Sequence, residues 1–323
     1  MLNSDITIKN ERGLGQSPVL NTQACFVCNS TAPKFVFKNV EDFEYGTYKP
    51  VDYVVCKDCR LISQNPLPEA GLLKTFYPDE YRNYAPLKKS LLSGLKNIHS
   101  LAVLNKFEKH FHKKAELKIL EIGFGNGQLL LTLKRKGYPN VYGCDFTGRF
   151  FPALQKEGIK LKISDLEKDF PFNESFDVII MINVIEHFLD PADVLRRCKN
   201  HLTEKGRVIL ITPNANALEL PFFKRYWAGF HAPRHLFLFN EQNIKMLAEK
   251  IGFGKVKMEP FTDSGQISIS VQNFFQGHSS TKVKLKNGMA WYLLPLSLIL
   301  APLAFLQNLM GRSTSAIYVL PNA

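Results

Sequence analysis

The sequence has 323 residues, 45% of them hydrophobic and 22% charged, and 41 Lys and Arg against 29 Asp and Glu give a net charge of +12. This composition excludes a chain that is mainly disordered, collagen-like or built of many membrane spans. The length suits one sizeable core plus a smaller module, and the positive balance favours acidic partners: nucleic acid, anionic lipid, or phosphorylated and nucleotide-containing small molecules.

Residues 1–22 are polar and are expected to be a loose tail. They contain no apolar leader segment, so a reducing, cytoplasmic setting is expected for the six cysteines. Residues 23–64 carry Cys25-x2-Cys28 and Cys56-x2-Cys59 among short Val, Phe and Tyr stretches, which predicts a small β-rich module. Two such knuckles suit a tetrahedral structural zinc with no vacant position. Lys57 and Arg60 are too thin a basic surface for nucleic acid. Residues 65–116 open with a Pro- and Tyr-rich connector. A basic amphipathic helix follows, with Leu91, Leu95, Ile98, Leu101, Leu104, Phe107 and Phe111 at helical spacing and lysines opposite.

From Leu117 short apolar strands alternate with helical stretches. The strands are predicted at Lys118–Ile122, Val141–Cys144, Leu161–Ser164, Val178–Ile182 and Val208–Thr212, with helices at Gln128–Lys136, Pro191–Leu202 and Glu241–Ile251. Such alternation means an α/β core with a parallel sheet covered on both faces, here over 117–271. A β-like stretch starts at Lys255, and 313–323 supply a final strand, Ala316–Leu320. Between them, 272–312 form an apolar insertion containing Met289–Leu306, a run of 18 residues without charge. That length reaches the threshold for a membrane span. Pro295 and Pro302 interrupt it, however, and the chain must return to the sheet. A helical hairpin dipping into one anionic leaflet is expected, with Lys282, Lys284 and Lys286 just before it; a buried helix pair or a dimer interface is the alternative. The oligomeric state is open.

The segment Ile119-Leu-Glu-Ile-Gly-Phe-Gly-Asn-Gly-Gln128 is the most informative. Gly123, Gly125 and Gly127 permit a tight turn and a close approach to the backbone. A dinucleotide fingerprint would need glycine at 128, which is Gln. Glu121 before G-x-G-x-G instead suits S-adenosylmethionine, whose methionine end carries an ammonium, a carboxylate and a sulfonium. Asp145 closes the second strand, where a carboxylate can accept both hydrogen bonds of a ribose diol. Asp165 follows the third and suits an adenine amino group, with Leu166 adding backbone and apolar contact. Asp177 reads as a turn carboxylate. A sulfonium already activates its methyl, so an enzyme chiefly positions the acceptor and needs a base only where the acceptor loses a proton. His187 is the candidate base, with Glu186 second, although the pair can equally open the next helix. His231, Arg234 and His235 form another polar cluster. Arg234 can clamp a phosphate or carboxylate, or the cluster is simply a capped loop.

The segments ILEIGFGNGQ, GCDF, SDLEKDFPFNESFDVII, NVIEHFLDP and GRVILITPN resemble the class I S-adenosylmethionine-dependent methyltransferases. The resemblance implies a Rossmann-like sheet of order 3-2-1-4-5-7-6 with strand seven antiparallel. It implies cofactor contacts from Glu121, Gly123, Phe124, Gly125, Gly127, Asp145, Phe146, Asp165, Leu166 and Asn183, with Phe124 in place of the usual small residue or cysteine. Glu186, His187 and the loop of His231, Arg234 and His235 would border the acceptor. The stretch CKDCRLISQNPLPEAGLLKTFYPDEYRNY is similar to the zinc-ribbon region of a methyltransferase subset that includes sugar C-methyltransferases and polysaccharide-cluster enzymes, with Arg60 where glycine is usual. The expected acceptor is therefore small or lipid-linked, first a sugar or glycan precursor. The alternatives are a membrane quinone or lipid phenol methylated on oxygen, or a cofactor-binding scaffold without turnover. The expected place is the cytoplasm, peripheral on the inner face of the membrane.

Overall fold

The computed structural model describes residues 24–46, 48–77, 101–111, 116–262, 264–278, 290 and 292–323. The expected tail, residues 78–86 of the connector, residues 88–100 of the basic helix with Lys113 and Lys114, and Lys282, Lys284, Lys286 and Met289 lie outside the described residues. Of the basic helix, residues 101–108 are helical and bury Val103, Leu104 and Phe107.

Three strands lead: β1 (Pro33–Val40), β2 (Val51–Cys56) and β3 (Ile62–Asn65). The core follows with β4 (Lys118–Ile122), β5 (Asn140–Asp145), β6 (Lys160–Ile163), β7 (Phe176–Ile182) and β8 (Leu202–Pro213). The two-residue β9 (Phe237–Leu238), β10 (Lys257–Phe261) and β11 (Ser315–Pro321) complete the set. The large sheet runs β6-β5-β4-β7-β8-β11-β10, which is the expected 3-2-1-4-5-7-6. β4 to β8 are parallel, and β11 is antiparallel to both β8 and β10. Ile119 and Leu120 of β4 point to opposite faces and are both fully buried, as a strand with helices on both sides requires.

The helices begin and end where local chemistry places them. In Pro191–Asn200, Asp190 caps the Asp193 amide and Pro191 sits in the first turn. Glu241–Ile251 opens with a reciprocal Asn240–Asn243 capping box and closes on Gly252 at φ 88°. Asp177 accepts from the Lys118 amide at 2.8 Å and from Thr203 Oγ1 at 2.9 Å, so it ties strand ends together. β8 starts six residues earlier than the apolar pattern predicted, because Leu202 pairs with Phe176 ahead of a register shift.

The small sheet has the order β1-β2-β3-β9. β9 comes from the segment between β8 and the Glu241–Ile251 helix, so the cysteine-bearing strands share a sheet with the core chain. Toward the C-terminus a helix over Ser264–His278 crosses the expected 271/272 boundary. The apolar run forms two further helices, Leu293–Ile299 and Ala301–Leu309, which meet at Leu300. No helix among the described residues is long and apolar enough to cross a membrane.

Candidate functional site

The carboxyl ends of β4 and β5 build the first half of the site. Gly123, Gly125 and Gly127 have φ of 70°, 54° and 76°, the left-handed region that glycine enters without strain. A Cβ on Gly123 would lie 2.5 Å from Val184 Cγ2, and one on Gly127 2.5 Å from Leu154 Cδ1, so the loop is pressed between two elements. The Gly125 and Thr147 amides each donate to the Asp145 carboxylate at 3.0 Å. Burial pushes Asp145 up to about 6, against those amide donors. Glu121 is buried beside it, and burial followed by the Asp145 charge holds it well above the usual carboxylate range. Among the described residues its Oε2 has no hydrogen-bond partner. Two buried acids with an unsatisfied oxygen suit a cationic ligand.

The other residues expected here are distributed around that pair. The Phe124 ring is buried against Phe151, with centroids 5.8 Å apart, so it belongs to the core and leaves its backbone to the loop. Phe146 is exposed, with its ring 5.4 Å from Tyr77. Asp165 turns the chain after β6, accepting from the Glu167 amide at 3.3 Å, with Leu166 buried behind it. Asn183 ends β7 at φ 52°, a left-handed conformation that side chains rarely adopt.

A cavity of about 240 Å³ lies beyond Asn183 and His187. Trp227, Phe230 and His231 form one wall, the helix Ser264–His278 another, and Glu41, Phe43 and Glu44 of the cysteine-bearing module a third. His187 Nδ1 lies 2.9 Å from the Arg234 carbonyl and 3.0 Å from the Tyr77 hydroxyl. A carbonyl oxygen only accepts, so Nδ1 carries the proton and Nε2 the lone pair. Burial, then the neighbouring His231, pushes His187 down to about 3 and keeps the ring neutral. Glu186 is fully buried, accepts from Thr212 Oγ1 at 3.0 Å, and is pushed up to about 8 by burial, so it holds its proton near neutrality. Its Oε1 lies 3.8 Å from His235 Nε2, while His235 Nδ1 donates to the Gly229 carbonyl at 2.7 Å. The rings of His187, His235 and His231 follow one another at 4.7 and 4.9 Å.

Arg234 is 1% exposed, pairs with Asp42 at 2.9 Å and Glu44 at 3.4 Å, and lies over the Tyr45 ring. Its charge is met inside the protein, and the pair joins module to core. His231 Nε2 likewise reaches Glu44 at 2.7 Å. Sequence reasoning passed over Tyr77, which sat in an apparent connector; the Tyr-rich composition there was its only signal. Nor did it single out Glu41, Phe43 and Glu44, which reach the cavity only through the tertiary fold.

The four cysteines of the two knuckles come together. Cys25 and Cys59 sulfurs are 3.6 Å apart, those of Cys28 and Cys56 3.5 Å, and none is in a disulfide. Four sulfurs about 2.3 Å from one zinc ion would have edges of about 3.8 Å, so the donor set and spacing fit that metal. Asn29 and Arg60, each following a second cysteine, have φ of 62° and 65°. Arg60 thus takes the turn that a glycine would make.

A protein-family model described as a methyltransferase domain matches residues 95–257. Over 109 residues the chain is 32% identical to a ubiquinone biosynthesis O-methyltransferase of Neisseria meningitidis serogroup C, covering 31% of this chain and 45% of that protein. It is 29% identical over 170 residues to a demethylmenaquinone methyltransferase of Thermotoga maritima, covering 44% of this chain and 72% of that one. With a ubiquinone biosynthesis O-methyltransferase of Bradyrhizobium diazoefficiens the identity is 27% over 190 residues, covering 52% and 73%. The chain therefore spans less than half the length of the Neisseria protein.

Proposed function

Because this chain belongs to the methyltransferase-domain family, we propose that it is an S-adenosylmethionine-dependent methyltransferase whose acceptor is a small aromatic hydroxyl compound of the quinone-precursor type. The observation that carries this reading is the cavity wall, where Phe43, Trp227 and Phe230 offer aromatic surface. Arg234 is already paired to Asp42, so a nucleotide-linked sugar would have to balance its charge on Arg225, the other arginine of the lining. The names of the relatives point the same way.

In this reading Gly123, Gly125 and Gly127 give the cofactor close access to bare backbone, Asp145 receives its ribose hydroxyls, and Glu121 faces its cationic end. Asp165 and Leu166 hold the adenine, and Asn183 and Phe146 border the cofactor on the acceptor side. S-adenosylmethionine supplies an electrophilic methyl group when bound. His187 Nε2 accepts the hydroxyl proton of the acceptor as the oxygen attacks, and the Arg234 carbonyl on Nδ1 orients the ring. Glu186 keeps its proton and supports His235 beneath the cavity floor. Cys25, Cys28, Cys56 and Cys59 hold a structural zinc that fixes the module carrying Glu41–Glu44.

The test is turnover of a panel: a short-tailed catechol, a naphthol and several nucleotide sugars, with His187→Gln as control. The reading expects methylation of the aromatic acceptors, and a His187→Gln enzyme at least about 100-fold slower with cofactor affinity unchanged. Turnover of nucleotide sugars alone would overturn it.

A further inference from the structure

The C-terminal helices turn many polar side chains inward and several large apolar ones outward. Ser268, Ser270, Gln272, Asn273 and Gln276 of the Ser264–His278 helix are buried, while its Phe274 and Phe275 are exposed. Several of the inward groups are paired, although Gln276 Nε2 and Gln307 Oε1 have no hydrogen-bond partner among the described residues. Ser268 meets Ser297 at 3.0 Å, Ser270 accepts from the Ala228 amide at 2.9 Å, and Asn273 donates to the Tyr226 carbonyl at 3.2 Å. Ala301–Leu309 turns only Ala304 and Gln307 inward, and Gln307 donates to Glu219 at 2.9 Å. Outward lie Phe222, Phe275, Leu298, Ile299, Phe305 and Leu309, each between 65% and 74% exposed. A water-facing helix has the opposite polarity, and an apolar patch of this breadth marks a contact surface.

The charge of the C-terminal sequence says what covers these residues. From residue 264 to the C-terminus there is no Asp or Glu, whereas Lys282, Lys284, Lys286 and Arg312 are present. Lys224 and Arg225, close in sequence to Phe222, are exposed too. Apolar, aromatic-rich helices in a stretch of sequence whose charges are all basic complement an anionic leaflet, with rings and Leu in the acyl boundary and cations among the headgroups. We infer that the face formed by Phe222, Phe275, Leu298, Ile299, Phe305 and Leu309 docks on an anionic phospholipid membrane, dipping into one leaflet. The inward face of the Ser264–His278 helix lines the cavity through Gln266, Ile269 and Gln272. A lipid-phase acceptor therefore meets the site along the docked helix; this last link rests on the aromatic-acceptor reading, whereas the docking does not.

Full-length protein is sedimented with vesicles of phosphatidylcholine alone and of phosphatidylcholine with phosphatidylglycerol, alongside the variant Phe275→Ser/Leu298→Ser/Phe305→Ser. Docking predicts partitioning about tenfold stronger on the anionic vesicles and a similar loss in the variant. S-adenosylmethionine affinity, kept within about twofold, confirms that the variant folds. Equal partitioning of wild type and variant would overturn the proposal, as would a dimer lost in the variant with no vesicle binding by either. A protein that binds vesicles but methylates no water-soluble catechol would sink the acceptor reading and leave the docking surface standing.

Discussion

Arg234 and Asp42 meet at 2.9 Å with both side chains 1% exposed, joining the loop over the cavity to the module that carries the cysteines. A buried pair of this kind contributes little net stability, because desolvation offsets its attraction, but removing one partner strands the other charge. Asp42→Ala is therefore expected to cost about 3–5 kcal/mol in denaturant unfolding, and Asp42→Leu with Arg234→Met to recover most of it. A double variant as unstable as the single one would contradict the account.

Asp145 links cofactor binding to pH. Its carboxylate titrates at about 6 in the folded protein, and only the ionised form accepts both ribose hydroxyls. Calorimetric affinity for S-adenosylhomocysteine should hold above that pH and fall by about tenfold per unit below it. Asp145→Asn should weaken binding and flatten this dependence.

The imidazole of His187, held down to about 3 by its surroundings, is a neutral base across the physiological range. The rate of methyl transfer at saturating cofactor and acceptor should then lack an inflection near the ordinary histidine value of about 6.5. An inflection there that disappears in His187→Gln would show that the ring is exposed to water during turnover and would refute the geometry.

Glu186 makes a stability prediction with a definite sign. Its folded value of about 8 lies above the ordinary 4.5, so between those values the unfolded chain has released a proton that the folded chain retains. Its contribution to stability therefore declines as pH rises through that window. Glu186→Gln, which still accepts from Thr212, should raise the unfolding free energy relative to wild type more at pH 8 than at pH 5, by roughly 1–3 kcal/mol. No pH dependence in that difference would place the carboxylate in water.

Much of this arrangement was legible in the residues. The strand-end order of Glu121, Asp145 and Asp165 and the three glycines predicted the sheet and its loop, because period and turn chemistry are local. The gathering of Cys25, Cys28, Cys56 and Cys59 followed from knuckle spacing in the same way. The pairing of Arg234 was not legible because its partner Asp42 is 192 positions away, and no spacing rule reaches so far. Tyr77 was hidden for the same reason. The Ser264–His278 helix escaped because polar and apolar residues mix on its inner face while Phe274 and Phe275 lie outward, so the usual pattern of inward Leu and outward Lys is missing.

The cysteine cluster gives a further expectation. Metal analysis should find one zinc per chain, and Cys59→Ser should lose it together with hydrogen-exchange protection at Phe237 and Leu238, since β9 pairs with β3 two residues after the last knuckle. Full metal retention in Cys59→Ser would contradict the four-sulfur site.

The central claim is methyl transfer to an aromatic hydroxyl in the cavity beside His187. Its most direct test is a single-turnover reaction with isotopically labelled S-adenosylmethionine and a short-tailed catechol, with the product read by NMR. The account predicts label on the hydroxyl oxygen in wild type and at least about 100-fold slower appearance in His187→Gln. Label on carbon, or transfer at wild-type rate without His187, would contradict it.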